Sequence, residues 1–170
     1  ALGIQQYLAS VVKQARNGVQ ARGSYSSQSA WVLATLFQLS KDGDFQEVSK
    51  SLKPHLALSA AYQVNAKSNA AHAAIFLMDT KGSVYWILKP SRLSSRHKNG
   101  ELIALDEEVE FELPQGPIQF IALFSKAPLS ESLLESQALR AAQSGSSANI
   151  LGLAEYQEVG VSQSTFEVAP

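Results

Sequence analysis

Cysteine is absent from this chain of 170 residues, and methionine occurs once, as Met78. The lack of thiols excludes disulfide bonds, thiolate zinc sites, iron–sulfur clusters and a cysteine nucleophile. The N-terminal Ala1 is the kind of small residue that signal cleavage leaves, although the start of an excised fragment would look the same. We therefore expect a periplasmic or secreted protein, with the cytoplasm as the alternative location.

Charged residues and long apolar runs are also scarce. Charged residues make up 17% of the chain and the formal net charge is −1, whereas an ordinary soluble domain has roughly 25% charged residues. A general nucleic-acid-binding protein would show a basic surplus, so we expect no specific nucleic-acid partner. Because no apolar run reaches the roughly 20 residues of a membrane-spanning helix, we expect no transmembrane segment.

Recognisable catalytic and metal-binding motifs are missing as well. The three histidines, His55, His72 and His97, form no helical pair of metal ligands, and neither an HExxH pair, a GxSxG elbow nor a phosphate-binding loop is present. We therefore expect no metal, no cofactor and no catalytic residue. The chain is interpreted as noncatalytic. The alternative is a small hydrolase-type enzyme or a secreted effector domain with a site between the helices and the sheet.

The first third of the chain favours helices. Residues 4–16 carry apolar residues at helical spacing, which predicts a first helix. A second helix is predicted within residues 25–40, where the apolar residues form a broad stripe, and a third, short helix over residues 44–52 ends before Pro54. The apolar residues of the first helix are Ile4, Leu8, Val11, Val12 and Ala15.

After Pro54 the apolar pattern becomes that of strands. Residues 56–64 alternate with a period of two, which predicts a half-buried strand, while their alanines leave a helix open. Residues 72–90 read HAAIFLMDTKGSVYWILKP, two apolar runs around the turn Asp79-Thr80-Lys81-Gly82. Aspartate and glycine suit such a turn, and both faces of each run are apolar. We predict an antiparallel hairpin of central strands that are covered on both sides.

The last third predicts more strands and one helix. Residues 108–113 alternate glutamates with apolar residues, which predicts a strand with one wet face, and residues 118–125 predict a central strand. A helix is predicted after the N-cap Ser130, and one or two strands close the chain. The residues expected to point inward are Leu133, Leu134, Ala138 and Leu139 in the helix, and Phe166 and Val168 in the last strand.

This order of elements predicts an α+β fold. We expect an antiparallel β-sandwich or barrel-like sheet, with N-terminal helices and one later helix packed against it. Residues 1–53 are predicted to be a helical N-terminal segment, and residues 54–170 an antiparallel β module with one helix. The two parts together are expected to form one compact domain.

Charge is distributed asymmetrically at one place, a basic cluster between two predicted strands. It consists of Arg92, Arg96, His97 and Lys98. Loops on rigid scaffolds often carry binding residues, so we predict that these four contact a partner, while a solvated loop without such a role is the alternative. The expected partner is another protein; an anionic polymer and lipid head groups are the alternatives.

An acidic run provides the opposite charge. We interpret it as a solubilising strand face, because calcium needs a denser set of oxygen ligands. A glycosidase, in turn, needs one carboxylate in an apolar pocket. The run consists of Asp106, Glu107, Glu108, Glu110 and Glu112.

Four segments between residues 56 and 129 follow a common pattern: AAIFLMDTKGSVYWILKP, NGELIAL, FELPQGP and FIALFSKAPL. A strand ending in a D-x-x-G turn, a strand running into a proline and a later strand ending in Ser and Pro resemble a bacterial domain family of unknown function. That family occurs in envelope-associated proteins and beside caspase-like peptidase or kinase modules. The chain departs from it at Pro90-Ser91, where the pattern has Pro-Asn. The resemblance implies a β-sandwich-like accessory module, usually without its own active site.

Overall fold

The structure is a computed structural model that describes residues 32–64, 70–93, 101–144 and 160–170. Within these ranges it contains ten strands, numbered β1 to β10 in chain order, and one helix, α1. The strands are β1 (Val32–Leu39), β2 (Phe45–Glu47), β3 (Ser51–Leu52), β4 (Ala57–Val64), β5 (His72–Asp79), β6 (Val84–Arg92), β7 (Ile103–Ala104), β8 (Val109–Glu110), β9 (Gly116–Ser125) and β10 (Gly160–Val168), and α1 is Glu131–Ser144.

The strands form two five-stranded sheets. In sheet A, β2 pairs with β1 and β1 with β4, and the short strands β7 and β8 follow one another along the far edge of β4. Sheet B has the order β3-β10-β9-β5-β6. Its first pair, β3 with β10, is parallel, whereas the other pairs are antiparallel. The prediction of a β-rich α+β fold is confirmed, whereas the sheets do not close into a barrel.

One apolar core holds the two sheets face to face. Side chains alternate between the faces of a strand, and every second residue of β1, β4, β5 and β9 belongs to this core. Full burial of one large apolar side chain stabilises a fold by about 1.5–3 kcal/mol. The sandwich interior is therefore filled with side chains. Those exposed by no more than 1% include Leu36, Leu58, Ile75, Leu77, Ile118 and Phe120.

The outer face of sheet B is covered by α1. Phe76 and Met78 of β5 point away from the sandwich core and pack with Leu134 and Ala138 of the helix. The strand β5 is therefore shielded from water on both faces, as its sequence predicts. Two polar contacts fix the helix to the edge strand: Trp86 Nε1 donates to a Glu135 carboxylate oxygen at 2.8 Å, and Lys89 and Glu131 form an ion pair at 3.5 Å.

The helix α1 begins where the sequence predicts. The Ser130 hydroxyl accepts a hydrogen bond from the backbone N–H of Leu133 at 3.2 Å. This N-cap bond gives a partner to one of the backbone N–H groups at the start of the helix, which have no acceptor within the helix. Leu134 and Ala138 are fully buried, as predicted. The inward placement of Leu133 and Leu139 is wrong, because they are 45% and 50% exposed. The buried stripe of α1 follows i, i+4 and i+7 spacing, and these two leucines flank it.

The structure contradicts the helices predicted in the first third of the chain wherever it describes them. Residues 32–39 form β1, so the helix predicted within residues 25–40 is wrong over this part. Seven successive residue pairs join β1 to β4. Pairing with this strand, which is distant in the sequence, determines the conformation of residues 32–39 more strongly than the helical spacing of their apolar residues does. The third helix is also wrong, since β2 and β3 occupy its place. The helix predicted over residues 4–16 lies outside the described residues.

The strands predicted after Pro54 are confirmed, with three differences. The strand predicted over residues 108–113 is reduced to β8, Val109–Glu110. The hairpin of β5 and β6 is antiparallel, but β6 is the edge strand of sheet B instead of a central strand. An edge suits Pro90, which has no N–H to give to a further strand. The strand β4 is buried on both faces instead of one. Val168 is 2% exposed and Phe166 packs partly against the core, as expected of the last strand.

Gly82 is the point where the hairpin turn meets α1. It has a φ of +87°, and an added Cβ would lie 2.8 Å from Leu139 Cα and 2.9 Å from the Ala138 carbonyl oxygen. We predict that Gly82→Ala lowers the free energy of unfolding by about 2–4 kcal/mol, because strain at a positive φ and a backbone collision add together. Urea unfolding followed by circular dichroism measures this loss.

Gly43 supplies a matched control for that measurement. Its φ is +88°, but an added Cβ would meet nothing within 4 Å. Gly43→Ala therefore carries the conformational cost alone, about 1 kcal/mol. Equal losses in the two variants would contradict the close approach of α1 to the turn.

Candidate functional site

The predicted partner-binding cluster begins at one end of sheet B. Arg92 is the last residue of β6 and is exposed. Arg96, His97 and Lys98 lie outside the described residues. The described part of the site is therefore built around Arg92.

Three strands place polar residues side by side at this end. His72 of β5 is in register with Arg92 on one side and with Ser125 of β9 on the other. Directly opposed residues of antiparallel strands share a face, and His72 shares the α1 side of sheet B with Ala74 and Phe76. The row Arg92–His72–Ser125, called the polar row below, therefore lies beyond the helix on the outer face.

Backbone bonds hold the polar row in place. The Ala71 N–H donates to the Ser125 carbonyl at 2.8 Å, and the Leu93 N–H donates to the Ala71 carbonyl at 2.9 Å. These bonds continue the pairing of β5 with β9 and with β6 by one residue beyond the polar row. The side chains of Arg92 and His72 thus project from a backbone that is fixed on both sides.

An exposed lysine adjoins the polar row in the chain. Lys126 follows Ser125 directly and is exposed. The nearest acidic residue of α1, Glu131, is already paired with Lys89, and both side chains are largely exposed, 44% and 67%. Such a surface pair contributes little to stability, yet it offsets the charge of Lys89. Arg92 and Lys126 remain as the exposed cations at this end among the described residues.

The remaining candidates of the sequence lie apart from the polar row. His55 is exposed in the turn before β4. The five acidic residues from Asp106 to Glu112 are exposed, which agrees with a solubilising role. Within the described ranges, no group of three or more histidine, aspartate and glutamate side chains is arranged to hold a metal ion.

A second polar cluster lies at the hairpin turn, at the opposite end of β5. Asp79 is 7% exposed, and its Oδ1 accepts the backbone N–H groups of Lys81 and Ser83 at 2.9 Å each. Its Oδ2 accepts the Tyr85 hydroxyl at 3.0 Å. Three hydrogen bonds satisfy this buried carboxylate, so the cluster stabilises the turn.

The environment of Tyr85 makes its phenol a weaker acid. Burial is the largest cause, and the hydrogen bond to Asp79 and the negative charge of Asp79 add to it; together they raise the pKa of Tyr85 to about 12. The Tyr85 ring also meets Phe111 edge-to-face, with centroids 5.5 Å apart. The contact places a residue of the chain after β8 against sheet B.

Sequence reasoning identified the turn but missed its partners. Asp79 and Gly82 form a recognisable turn pattern, whereas Tyr85, six residues beyond Asp79, gives no local sign of a hydrogen bond to it. His72 carries no local signal beyond its place at the start of the hairpin sequence. The strand register alone brings it between Arg92 and Ser125.

In the part of the chain that the structure describes, the fold is of the β-rich α+β class, with two facing sheets and one helix on an outer face. Comparison with protein-family models, with curated proteins and with solved structures finds no match to this chain. Among the described residues, α1 falls short of the length and apolar character that crossing a bilayer requires.

The Tyr85–Asp79 bond predicts a pH dependence of stability. The ordinary pKa of tyrosine is about 10, so the phenol ionises first in the unfolded chain as the pH rises. The stabilisation is complete below about pH 10 and is lost as the pH approaches about 12. We expect the free energy of unfolding of the wild type to fall more steeply over this range than that of Tyr85→Phe, in urea titrations.

Absorbance near 295 nm gives the matching spectroscopic test. The wild type should show one tyrosine that ionises late, and Tyr85→Phe should lack it. Asp79→Asn should bring the same transition to lower pH, since it removes the carboxylate charge that opposes ionisation. An unchanged late transition in Tyr85→Phe would contradict the assignment to Tyr85.

Proposed function

We propose that this chain is a noncatalytic protein-binding or assembly module of a bacterial envelope or secreted protein. The partner contacts the end of sheet B where the polar row lies. One observation supports the proposal most: Arg92 projects, exposed, from a strand end whose neighbours His72 and Ser125 are held in register. The predicted contacts Arg96, His97 and Lys98 follow directly in the chain.

The chemistry of these residues favours an acidic partner surface. The guanidinium of arginine has a planar array of N–H donors that matches a carboxylate, and paired hydrogen bonds of this kind give specificity. Lysine and histidine add positive charge and further donors. A rim of such residues steers an acidic protein toward the site.

Two further arguments support the location and the class. The chain has no cysteine, which suits a protein that passes through an oxidising compartment. The segments between residues 56 and 129 resemble an envelope-associated family of accessory β modules, whose members usually have no active site. The packed sandwich interior agrees with this class, because it leaves the ends of the strands for contacts with a partner.

A pull-down experiment tests the proposed surface. The purified chain is immobilised and exposed, at physiological salt, to an envelope extract of the cells that make it. We expect Arg92→Ala/Arg96→Ala/Lys98→Ala to reduce the retained partner by about tenfold or more, because arginine is enriched among the few interface residues whose truncation costs about 2 kcal/mol or more. Quantitative mass spectrometry of the retained proteins measures the loss.

The opposite end of the sandwich offers a control with the same change of charge. Lys41, Lys50 and Lys53 are exposed there, near the C-terminal end of β10 and the end of β1. Lys41→Ala/Lys50→Ala/Lys53→Ala should retain the partner, and both triple variants should unfold at the same temperature as the wild type. A partner that persists with the first variant, or is lost equally with the second, contradicts the proposed surface.

Direct binding assays separate protein partners from other anions. Polyglutamate and vesicles of anionic lipid are titrated separately into the purified chain. Weak binding of both, beside strong retention of one protein, agrees with the proposal. The opposite outcome is that vesicles bind the wild type but not Arg92→Ala/Arg96→Ala/Lys98→Ala, and that no protein is retained. The partner would then be a membrane surface and not a protein.

A further inference from the structure

The last strand, β10, has one edge that is unpaired over most of its length among the described residues. On one side β10 pairs with β9 through nine consecutive residue pairs, from Gly160 to Val168, without a shift of register. On the other side β3 pairs only with Glu167 and Val168. Residues 160–166 therefore form a free edge of sheet B in the part of the chain that the structure describes.

The bond to β3 shows which backbone groups point to this edge. The Glu167 N–H donates to the Lys50 carbonyl at 2.9 Å, so the polar groups of Glu167 point away from β9. Successive residues of a strand direct their N–H and C=O groups to opposite sides, so every second residue before Glu167 also presents these groups to the free edge. These residues are Val161, Gln163 and Thr165.

The free edge lacks the features that keep sheet edges from pairing with other chains. Proteins protect long edge strands with charged residues, prolines or bulges. Residues 160–166 read GVSQSTF, with neither a charged residue nor a proline, and their register with β9 is regular. The opposite edge of sheet B, β6, is protected by Pro90 and by two shifts of register against β5. Of the two edges of sheet B, the one at β10 is therefore suited to receive another strand.

We propose that two copies of this chain associate through this edge, with their β10 strands antiparallel about a two-fold axis at Gln163. Gln163 then lies opposite Gln163 of the partner subunit, and Val161 lies opposite Thr165 of the partner subunit. Residues with outward backbone groups face one another in each of these pairs, which is the arrangement of hydrogen-bonded pairs in antiparallel strands. The sheets B of the two copies become one continuous sheet.

The strand β3 sets the register of this pairing. Since β3 occupies the edge beside Glu167 and Val168, another strand can extend along β10 only as far as residue 166. By symmetry the same limit applies to the second copy, so the shared window is residues 160–166, whose centre is Gln163. The window contains no charged residue, so like charges do not oppose one another. This self-complementarity favours a second copy over an unrelated extended peptide.

The side chains of the window allow the approach of a second strand. Gln163 and Thr165 are exposed on the outer face, and Gln163 Nε2 donates to Gln119 Oε1 of β9 at 2.7 Å. Cross-strand pairs of β-branched residues, such as Val161 with Thr165, stabilise a sheet. A contact of one strand pair is small, so the association is weak and depends on concentration. It includes no residue of the polar row and is independent of the proposed partner surface.

The absence of native cysteine allows a direct test of the register. Gln163→Cys places a thiol on the axis, where the Cα atoms of the pair lie roughly 5.5 Å apart, a separation that a disulfide spans. Thr165→Cys is the matched control on the same face, because two such thiols lie about four residues apart, roughly 14 Å along the strand. In the full chain under mild oxidation, Gln163→Cys should form a disulfide-linked dimer about tenfold faster than Thr165→Cys, as measured on non-reducing gels.

A mixture of Val161→Cys and Thr165→Cys gives the complementary measurement. These two thiols lie opposite one another between copies, so the mixed dimer, identified by its mass, should form faster than the dimer of either variant alone. Equal rates for Gln163→Cys and Thr165→Cys overturn the proposal. This is also the outcome expected if another part of the same chain covers the edge.

Charge substitutions test the association without a covalent bond. Gln163→Lys and Gln163→Glu each place like charges opposite one another, which should weaken association about threefold to fivefold at low salt. Mixing the two variants brings opposite charges together and should restore it, whereas Thr165→Lys, which faces Val161 of the partner subunit, should weaken it less. Sedimentation velocity over a concentration series measures association, and thermal unfolding verifies that each variant is folded. A wild type that stays monomeric at about 1 mM, far above the Kd range of specific pairs, or a mixture that associates no better than its components, overturns the proposal.

Discussion

The exclusion of water from both faces of β5 is the constraint on which the rest of sheet B depends. Ile75 and Leu77 point into the sandwich core, and Phe76 and Met78 point to α1; all four are nearly unexposed. On both edges β5 is hydrogen-bonded, to β6 and to β9. A strand with this composition needs a cover on its outer side, and α1 provides it.

The presence of α1 has consequences for residues far from it in the chain. The helix passes so close to the turn that a glycine is required at position 82, and it brings Glu135 to the indole of Trp86. At its start, Glu131 reaches Lys89. The edge strand β6 thus contacts β5 on one side and α1 above. Its last residue, Arg92, is placed by its pairing with His72 of β5.

Local patterns in the sequence predict those elements whose partners are near in the chain. The hairpin turn at Asp79, the N-cap at Ser130 and the strand β9 follow from short stretches. The strand β1 does not, because the apolar residues of its sequence also fit a helix and only pairing with β4 decides between the two. Similarly, the double burial of β5 was predicted, whereas the edge position of β6 depends on the order of all five strands. The polar row could not be predicted, since register alone joins His72 to Arg92.

The two polar ends of β5 differ in what they leave for a partner. At the turn, the carboxylate of Asp79 accepts three hydrogen bonds from the chain itself, so a ligand there would have to replace bonds that already stabilise the fold. At the other end, the backbone bonds through Ala71 are complete, while Arg92 projects into solvent. Binding through Arg92, at a rigid strand end, restricts only its side chain, which lowers the entropic cost of association. In the described part of the proposed partner surface, the fold has therefore fixed the backbone and left charge exposed.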